Sequence, residues 1–185
     1  ALSTLTGKPF QINNIRSGRK QPGLKAQHLT AITALKEICQ AKASDVFLGS
    51  TEFMFIPGKI KKGIFNIDIG TAGSITLLLQ ALLLPCLFAP GKITLNLKGG
   101  TSGKWSASVD YLQNILLPHV RKFVDKIDLK ILKRGYYPKG GGEISIEIHP
   151  KYLQDFYQDL QTIPKISLTE TGELVQIKGI INCSK

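Results

Sequence analysis

Residues 127–148 read IDLKILKRGYYPKGGGEISIEI, which is two strand-like segments joined by a turn with three consecutive glycines. The apolar residues at 127–132 and 143–148 predict the two strands. Three glycines in a row lose much backbone entropy on folding, so they suit a place where the main chain takes positive φ or approaches another group closely. Arg134, Lys139 and two tyrosines beside them could pair with phosphate and stack on a base. A glycine-rich hairpin without a binding role is the alternative.

The residues that precede this segment extend it to a βαβαββ unit. Two further strands are predicted at residues 63–69 and 92–97, and two helices at residues 72–88 and 109–124. The two helices would cover one face of a four-stranded mixed sheet, which is an α/β (α+β) architecture.

The first part of the chain has a similar but incomplete pattern. The predicted elements are the end of a helix at 1–5, a strand at 10–15, a helix at 29–41 and a strand at 45–55. Gly7 and Lys8 before the first of these strands match Gly91 and Lys92, at an offset of 84 residues. This self-similarity predicts tandem repeats of the βαβαββ unit.

The repeat pattern also predicts how the chain is divided. The predicted parts are a first repeat without its opening strand at residues 1–62, a complete second repeat at 63–150, and at 151–185 a linker followed by the first strand of a third repeat near 174–181. Where the first repeat ends, Pro57 and Gly58 favour a hairpin between the strands at 45–55 and 63–69.

The composition is that of a chain that can bury a core and that carries a large positive charge. Its 185 residues are 43% hydrophobic, and its formal net charge is +11. Such a charge favours a polyanionic partner, with nucleic acid ahead of a membrane surface. Lysine accounts for 20 of the 24 basic residues. The four arginines therefore occupy particular positions, where a guanidinium can hold phosphate in a geometry that lysine cannot match.

No pattern predicts a metal site, a disulfide framework or a membrane span. Cys39, Cys86 and Cys183 form no CxxC or Cys/His cluster, and their apolar neighbours indicate buried thiols in a reducing compartment. The apolar run at residues 75–89 is interrupted by Gln80 and is too short to cross a bilayer comfortably. We therefore expect a cytoplasmic protein, or a nuclear one if the source is a eukaryote.

The loop at residues 16–27, RSGRKQPGLKAQ, is the first candidate site. Arg16 and Arg19 lie on either side of Gly18, so the two guanidinium groups could converge on one phosphate. Gln27 lies at the start of the following helix, where anions are favoured. A solvated basic loop is the alternative.

Two further candidates belong to the apolar helix that begins at TAGS, residues 71–74. Free amides at a helix N-terminus can receive an anion, although Thr71 as an ordinary N-cap is the favoured interpretation. Gln80 lies within LLLQALLLP, where a buried amide needs hydrogen-bond partners from a ligand or from neighbouring backbone.

The segment GGTSGKW at residues 99–105 lacks the glycine spacing of a P-loop. Its glycine turn and the only tryptophan of the chain are nevertheless compatible with contact to a nucleotide. A complete reaction centre is not visible, because His28, His119 and His149 have no Asp or Ser partner at a diagnostic spacing.

Four segments, in the same order, resemble the RNA 3'-terminal phosphate cyclase family. They are IRSGRKQPGLKAQHLT at residues 15–30, TAGSITLLLQALLLP at 71–85, KGGT at 98–101 and RGYYPKGGGE at 134–143. RGYYPKGGG matches the signature segment of the family and is the most specific of the four.

The resemblance implies an ATP-dependent ligase that converts an RNA 3'-phosphate into a 2',3'-cyclic phosphodiester through a histidine–AMP adduct and an RNA adenylate. The implied partners are ATP, RNA with a 3'-phosphate end and a divalent metal ion, Mg²⁺ or Mn²⁺, that assists the first step. Arg16, Arg19 and Gln27 match residues of the phosphate site, and Gln80 matches a residue of the adenylate pocket. No metal ligand is assigned within these residues.

Measured against the family pattern, the chain looks like an interior piece. Neither the opening strand nor the segment with the nucleophilic histidine is recognised, and residues 102–108, SGKWSAS, contain less proline than the adenine-flanking loop of the family. Two alternatives are open: the nucleolar cyclase-like branch, which serves in ribosomal RNA processing without cyclase activity, and a non-catalytic RNA-binding module. Arg16, Arg19 and the intact QHLT argue against the first of these.

Overall fold

The computed structural model describes residues 1–152 and 163–183. The first elements are α1 (Leu2–Thr6), β1 (Phe10–Ile12), α2 (Ala26–Cys39), β2 (Lys42–Ala43), β3 (Phe53–Ile56), β4 (Gly63–Asp68), α3 (Ile75–Leu87) and β5 (Ile93–Gly99). A helical segment follows, made of α4 (Val109–Tyr111), a π-helical turn (Leu112–Leu116), α5 (Leu117–Val120) and a 3₁₀ turn (Arg121–Phe123). Strands β6 (Val124–Lys133) and β7 (Gly142–Pro150) complete the series.

The first sheet has three strands in the order β1-β3-β2, and all its pairs are antiparallel. Alternation along β3 buries Phe53 and Phe55, and the ring of Phe10 lies 5.5 Å and 5.8 Å from theirs, measured between centroids. The two buried rings belong to the same hydrophobic core as Leu35 and Ile38 of α2. The apolar residues of α2 and of β3 are therefore buried in one common core.

The second sheet has four strands in the order β4-β5-β7-β6. Strands β4 and β5 are parallel and the other two pairs are antiparallel, so the sheet is mixed. Leu95 and Ile146 point inward from neighbouring strands, and Leu78 and Leu82 of α3 are equally inaccessible, with 0% exposure. The predicted α+β class, with helices packed on mixed sheets, is confirmed.

The two sheets have related strand orders. Strands β5, β7 and β6 have the same spatial order and the same antiparallel pairing as β1, β3 and β2. In each set a helical segment lies in the sequence between the first strand and the last of that spatial order. This likeness supports a duplicated unit, while the boundaries proposed at residues 62 and 150 stay predictions.

The predicted hairpin between residues 45–55 and 63–69 is wrong, because β3 and β4 belong to different sheets. Between them the chain crosses the C-terminal end of α2. A Cβ added to Gly58 would lie 2.5 Å from the carbonyl oxygen of Cys39, and the Lys61 amide donates to the carbonyl of Ile38 at 2.8 Å. Because of these contacts, residues 57–62 pass along the end of α2 and do not form a hairpin turn.

The strand expected at residues 174–181 is not formed in the structure, and the third repeat that it would open stays a prediction. Val175 is 91% exposed and Ile181 is 97% exposed, and no strand is formed there. An apolar alternation becomes a strand only when a neighbour pairs with its backbone, and no described strand pairs with this segment. Most of the predicted linker, residues 153–162, lies outside the described residues.

The cysteines agree with expectation at two of three positions. Cys39 and Cys86 are buried, and burial raises the pKa of the Cys86 thiol to about 12. Cys183 is exposed, so its apolar neighbours did not indicate burial.

The helix predicted at 109–124 ends at Phe123 and is not a regular α-helix. The Leu117 amide donates to the carbonyl of Leu112, five residues back, which widens one turn into a π-bulge. Pro118 follows at once and has no amide to donate, so the regular ladder is interrupted at this point.

Candidate functional site

A cleft of about 600 Å³ is lined by parts of four segments that the sequence singles out, at residues 16–27, 71–85, 99–105 and 134–143. Its lining residues are Gln27, Ala72, Gly73, Ser74, Leu77, Ser102, Gly103, Lys104, Trp105, Ser106 and Tyr137. The volume suits a small organic ligand such as a nucleotide. Segments that are distant in the sequence therefore meet at one place.

Close backbone packing brings these segments together. Gly140 has φ +67°, and a Cβ there would lie 2.7 Å from both the Cα of Ala72 and the carbonyl oxygen of Thr71. At Gly100, a Cβ would lie 2.5 Å from the carbonyl oxygen of Ala72. The close approach predicted from the glycine-rich turn is thus an approach to TAGS of the same chain.

Thr101 ties the loop after β5 to the turn between β6 and β7. Its amide donates to the carbonyl of Gly135 at 2.8 Å, and its hydroxyl lies 3.1 Å from both the carbonyl oxygen and the amide nitrogen of the same glycine. The carbonyl of Thr101 accepts from the Val109 amide at 2.8 Å. Since Thr101 is 1% exposed, these hydrogen bonds fix both loops beneath the cleft.

Arg134 supports the same turn through an ion pair. Its two terminal nitrogens donate to the two carboxylate oxygens of Asp110 at 2.7 Å and 2.8 Å. This bidentate pair lowers the pKa of Asp110, chiefly through the hydrogen bonds from Arg134. Both nitrogens are occupied, so the phosphate contact suggested for Arg134 has no support in the structure.

The two arginines of the loop at residues 16–27 differ in their surroundings. Arg16 is half-buried, and one of its terminal nitrogens donates to the carbonyls of Gln21 and Gly23 at 2.9 Å and 2.8 Å. Arg19 is exposed, and its side chain makes no hydrogen bond or ion pair to any described residue. Neither arginine lines the cleft, so Arg16 shapes the loop and Arg19 is available to a ligand beside it.

Gln27 is the one residue of the predicted phosphate set that lines the cleft. Its side-chain oxygen accepts a hydrogen bond from the Ser74 amide at 3.1 Å. The amides of Ala26 and Gln27, in the first turn of α2, have no acceptor among the described residues. These donors leave the N-terminus of α2 able to bind an anion.

His28 lies in the same first turn. Its Nδ1 accepts from the Lys25 amide at 3.1 Å, so the neutral ring carries its proton on Nε2. Burial, followed by the charge of Arg16, lowers the pKa of His28. A neutral imidazole at this position adds no charge of its own to the loop.

The N-terminus of α3 is different, because its first amides, apart from that of the buried Thr76, already have protein acceptors. The cap is Ser74 and not Thr71, whose hydroxyl instead accepts from the Gly73 amide. The donor and acceptor pairs are Gly73 with Thr71 at 3.1 Å, Ser74 with Gln27 at 3.1 Å, Ile75 with Gly100 at 3.0 Å and Leu77 with Ser74 at 3.3 Å. An anion site at TAGS is therefore not supported.

Gln80 lies apart from Gln27 and is exposed, so the expectation of a buried amide is wrong. Leu77 and Leu84 are 36% and 37% exposed, and helical spacing places Gln80 on the same open stripe. Gln80 lines a separate, smaller cleft of about 90 Å³, together with residues such as Ala107 and Tyr111.

Two aromatic side chains at the cleft belong to segments for which the sequence suggests base stacking or nucleotide contact. Trp105 and Tyr137 are each 86% exposed, and the Lys104 ammonium lies 5.2 Å from the centroid of the Trp105 ring. Their exposure depends on tertiary contacts of two loops, which no local sequence signal reveals.

Across residues 1–152 and 163–183, no three His, Cys, Asp or Glu side chains are grouped so as to hold a metal ion. Among the helices that the structure describes, none is both long enough and apolar enough to cross a membrane.

Fold and cleft together define an α+β protein in which loops from two helix–sheet units enclose a ligand-sized cleft with exposed aromatic rings. The sequence matches the family described as RNA 3'-terminal phosphate cyclase over residues 1–176. The chain belongs to the RNA 3'-terminal phosphate cyclase family.

Curated relatives agree with this membership. An RNA 3'-terminal phosphate cyclase of Ignicoccus hospitalis is 42% identical over 185 residues, which is all of this chain and 50% of that protein. One of Methanopyrus kandleri is 41% identical over 182 residues, covering 98% of this chain and 49% of that protein. One of Archaeoglobus fulgidus is 49% identical over 154 residues, covering 83% of this chain and 47% of that protein. The chain thus spans about half the length of the curated relatives it matches.

Proposed function

We propose that the protein containing this chain uses ATP to convert an RNA 3'-terminal phosphate into a 2',3'-cyclic phosphodiester. The observation that carries the proposal is the N-terminus of α2, where two amides without acceptors among the described residues lie at the cleft residue Gln27, and the preceding loop carries the exposed Arg19. Such a set of donors stabilises phosphate charge without a metal ligand of its own.

The proposed reaction has three steps. A histidine nitrogen attacks the α-phosphorus of ATP, and pyrophosphate leaves. A 3'-phosphate oxygen of the RNA then attacks the same phosphorus, which transfers AMP to the RNA and frees the histidine. Finally the 2'-hydroxyl attacks the 3'-phosphorus, loses its proton, and AMP leaves with the electrons of the broken P–O bond.

The residues of this chain act on charge and position in these steps. Arg19 and the first amides of α2 neutralise the phosphate oxygens, and Arg16 holds the loop in the required shape. We propose Gln80 and its small cleft for the adenylate, which separates the adenine end from the phosphate end.

The nucleophile is assigned to none of the three histidines. His28 uses Nδ1 to accept from Lys25, and His149 lies 2.8 Å from a carboxylate oxygen of Glu147 on β7, away from the cleft lining. His119 lies in α5 and does not line the cleft either.

Mg²⁺ or Mn²⁺ remains a proposed partner of the whole protein. The described residues do not group as its ligands, so no step is derived through a metal. The buried, unpaired thiols of Cys39 and Cys86 support a proposed cytoplasmic location.

The decisive experiment incubates the intact protein with ATP labelled at the α-phosphate and a divalent metal. We expect an acid-labile, protein-bound AMP, and its discharge when RNA with a 3'-phosphate is added. RNA that ends in a 3'-hydroxyl is the control and should leave the adduct in place. An intact protein that binds RNA and forms no adduct would instead be the non-catalytic RNA-binding module that the net charge of +11 also favours.

A further inference from the structure

Trp105 and Tyr137 lie on different loops and line the same cleft, yet each is 86% exposed. Large aromatic side chains usually bury most of their surface, so two such rings at one cleft indicate a surface that a ligand covers. A nucleobase is a suitable ligand, because every base has a flat face that stacks on an aromatic ring.

Both loops are fixed before any ligand binds. The Trp105 loop is held by the hydrogen bonds between Thr101 and Gly135, and a Gly103–Ser106 bridge closes it. In the other loop, the Gly140 amide donates to the carbonyl of Tyr136 at 2.7 Å, which closes the turn that contains Tyr137. Rings on fixed loops lose little conformational entropy when a base stacks on them.

The charge of the cleft suits a nucleic acid. Lys104 is the only charged residue among the described residues that line the cleft, and its ammonium lies over the Trp105 ring. Lys139 is exposed two residues beyond Tyr137. These two lysines can neutralise the phosphates that flank a stacked base.

Gln27 lines the same cleft, and its helix N-terminus is the proposed phosphate site. We infer that Trp105 and Tyr137 form a stacking platform for the unpaired base at the 3' end of the RNA, whose terminal phosphate binds at α2. This inference rests on the proposed function. Stacking reads no hydrogen-bond pattern, so the platform accepts any of the four bases.

A nucleobase could come from the RNA or from ATP, and the role proposed for Gln80 assigns the two sources to different clefts. Gln80, the residue proposed for the adenylate, lines a different cleft that contains neither Trp105 nor Tyr137. We therefore assign the platform formed by Trp105 and Tyr137 to the base of the RNA.

Tryptophan fluorescence provides a direct test in the intact protein, because the difference between the wild type and Trp105→Phe isolates the signal of Trp105, the single tryptophan among these 185 residues. A short single-stranded RNA with a 3'-phosphate is titrated without ATP, beside the same RNA with an abasic 3'-terminal nucleotide. We expect the RNA with a terminal base to quench Trp105, and the signal to be absent from Trp105→Phe. Quenching by ATP alone, or equally by the abasic RNA, would overturn the inference.

Affinity for the two RNAs completes the test. Trp105→Ala and Tyr137→Ala should each weaken binding of the RNA with a terminal base by about tenfold and leave the abasic RNA unaffected. Trp105→Phe should restore most of the loss. Ile64→Ala is a matched control, because Ile64 is 67% exposed on the four-stranded sheet and should not change either affinity.

The outcomes also separate this inference from the proposed function. Formation of the AMP adduct with unchanged RNA affinity in Trp105→Ala would overturn the platform and leave the cyclase function standing. Loss of affinity for the terminal base in a protein that forms no adduct would support the platform and contradict the cyclase function. A Trp105 signal that is shielded from both RNA and a small neutral quencher would show that another part of the polypeptide covers the ring, which also overturns the inference.

Discussion

The N-termini of α2 and α3 meet at one cleft but use their amides differently. At α3 the amides of Gly73, Ser74, Ile75 and Leu77 all have protein acceptors. At α2 the first amides have none among the described residues. A helix N-terminus binds an anion only if neighbouring loops have not already supplied its acceptors. We therefore propose the α2 side as the binding side and the α3 side as framework.

Removing Arg19 should cause the largest loss of activity with the least loss of stability. In Arg19→Ala we expect the rate of cyclisation of RNA 3'-phosphate to fall about a hundredfold, because one charged donor to the phosphate is lost. The free energy of unfolding should not change, since the side chain contacts no described residue through a hydrogen bond or ion pair. Single-turnover kinetics and chemical denaturation measure the two quantities.

Arg121→Ala is the matched control for this prediction. Arg121 is also exposed, but it lies in the 3₁₀ turn before β6 and does not line the cleft. Its removal lowers the net charge equally and should leave the rate unchanged. An equal fall in rate for both variants would mean that overall charge, and not the α2 site, governs the reaction.

The framework side should behave in the opposite way. Gly140→Ala places a Cβ 2.7 Å from the backbone of Ala72 and strains a residue with φ +67°, so we expect a loss of about 3 kcal/mol in the free energy of unfolding. Gly141→Ala, with φ +71° and nothing within 4 Å of the added Cβ, should lose only about 1 kcal/mol. Denaturant titration of both variants measures the difference, and equal losses would show that packing on TAGS contributes nothing.

The contrast between the two helix ends could be predicted only in part from the sequence. Local signals found α2, α3 and the six strands of the two sheets that carry most of the pairing, because helical spacing and apolar alternation are properties of neighbouring residues. The acceptors at α3 come from Gln27 and Gly100, which are far from Ser74 and Ile75 in the sequence. A pattern of adjacent residues cannot reveal which distant carbonyl or amide occupies a helix end.

Gln80 shows the same limit in another form. The helix around it is apolar on nearly every side, so the sequence has no polar stripe to mark the open face. Only the packing of α3 shows that Leu77, Gln80 and Leu84 lie outward. The sequence likewise suggests that Arg134 could pair with phosphate. Its actual partner, Asp110, lies in a different element, so the local sequence does not reveal the ion pair.

Acid should weaken the framework through Asp110. The folded-state pKa of Asp110 is lowered from 3.8 by Arg134, so the pair contributes its full stability above about pH 3.8 and loses it as pH falls through the folded pKa. At about pH 7 we expect Asp110→Asn to lose about 2 kcal/mol. The difference in the free energy of unfolding between the wild type and Asp110→Asn should shrink as the pH falls below about 3.8. Denaturant titrations at several pH values from about 7 downward measure it. A difference that stays constant with pH would contradict the assignment.

Gln27 belongs to both sides of the comparison, because it lies in the first turn of α2 and accepts from the Ser74 amide of α3. Gln27→Glu preserves that acceptor and places a negative charge at the anion site. We expect the free energy of unfolding to stay within about 0.5 kcal/mol of the wild type, since a carboxylate accepts from an amide at least as well. Affinity for RNA with a 3'-phosphate should fall about tenfold through repulsion, while RNA with a 3'-hydroxyl should bind as before.

Gln27→Ala is the complementary variant, because it removes the acceptor without adding charge. It should lower the free energy of unfolding by about 1 kcal/mol, through the unsatisfied Ser74 amide, and weaken the 3'-phosphate complex less than Gln27→Glu does. If both variants weakened the two RNAs equally, the phosphate would not bind at the first turn of α2. The free amides of α2 would then have no ligand to bind, and the difference between the N-termini of α2 and α3 would concern only the stability of the fold.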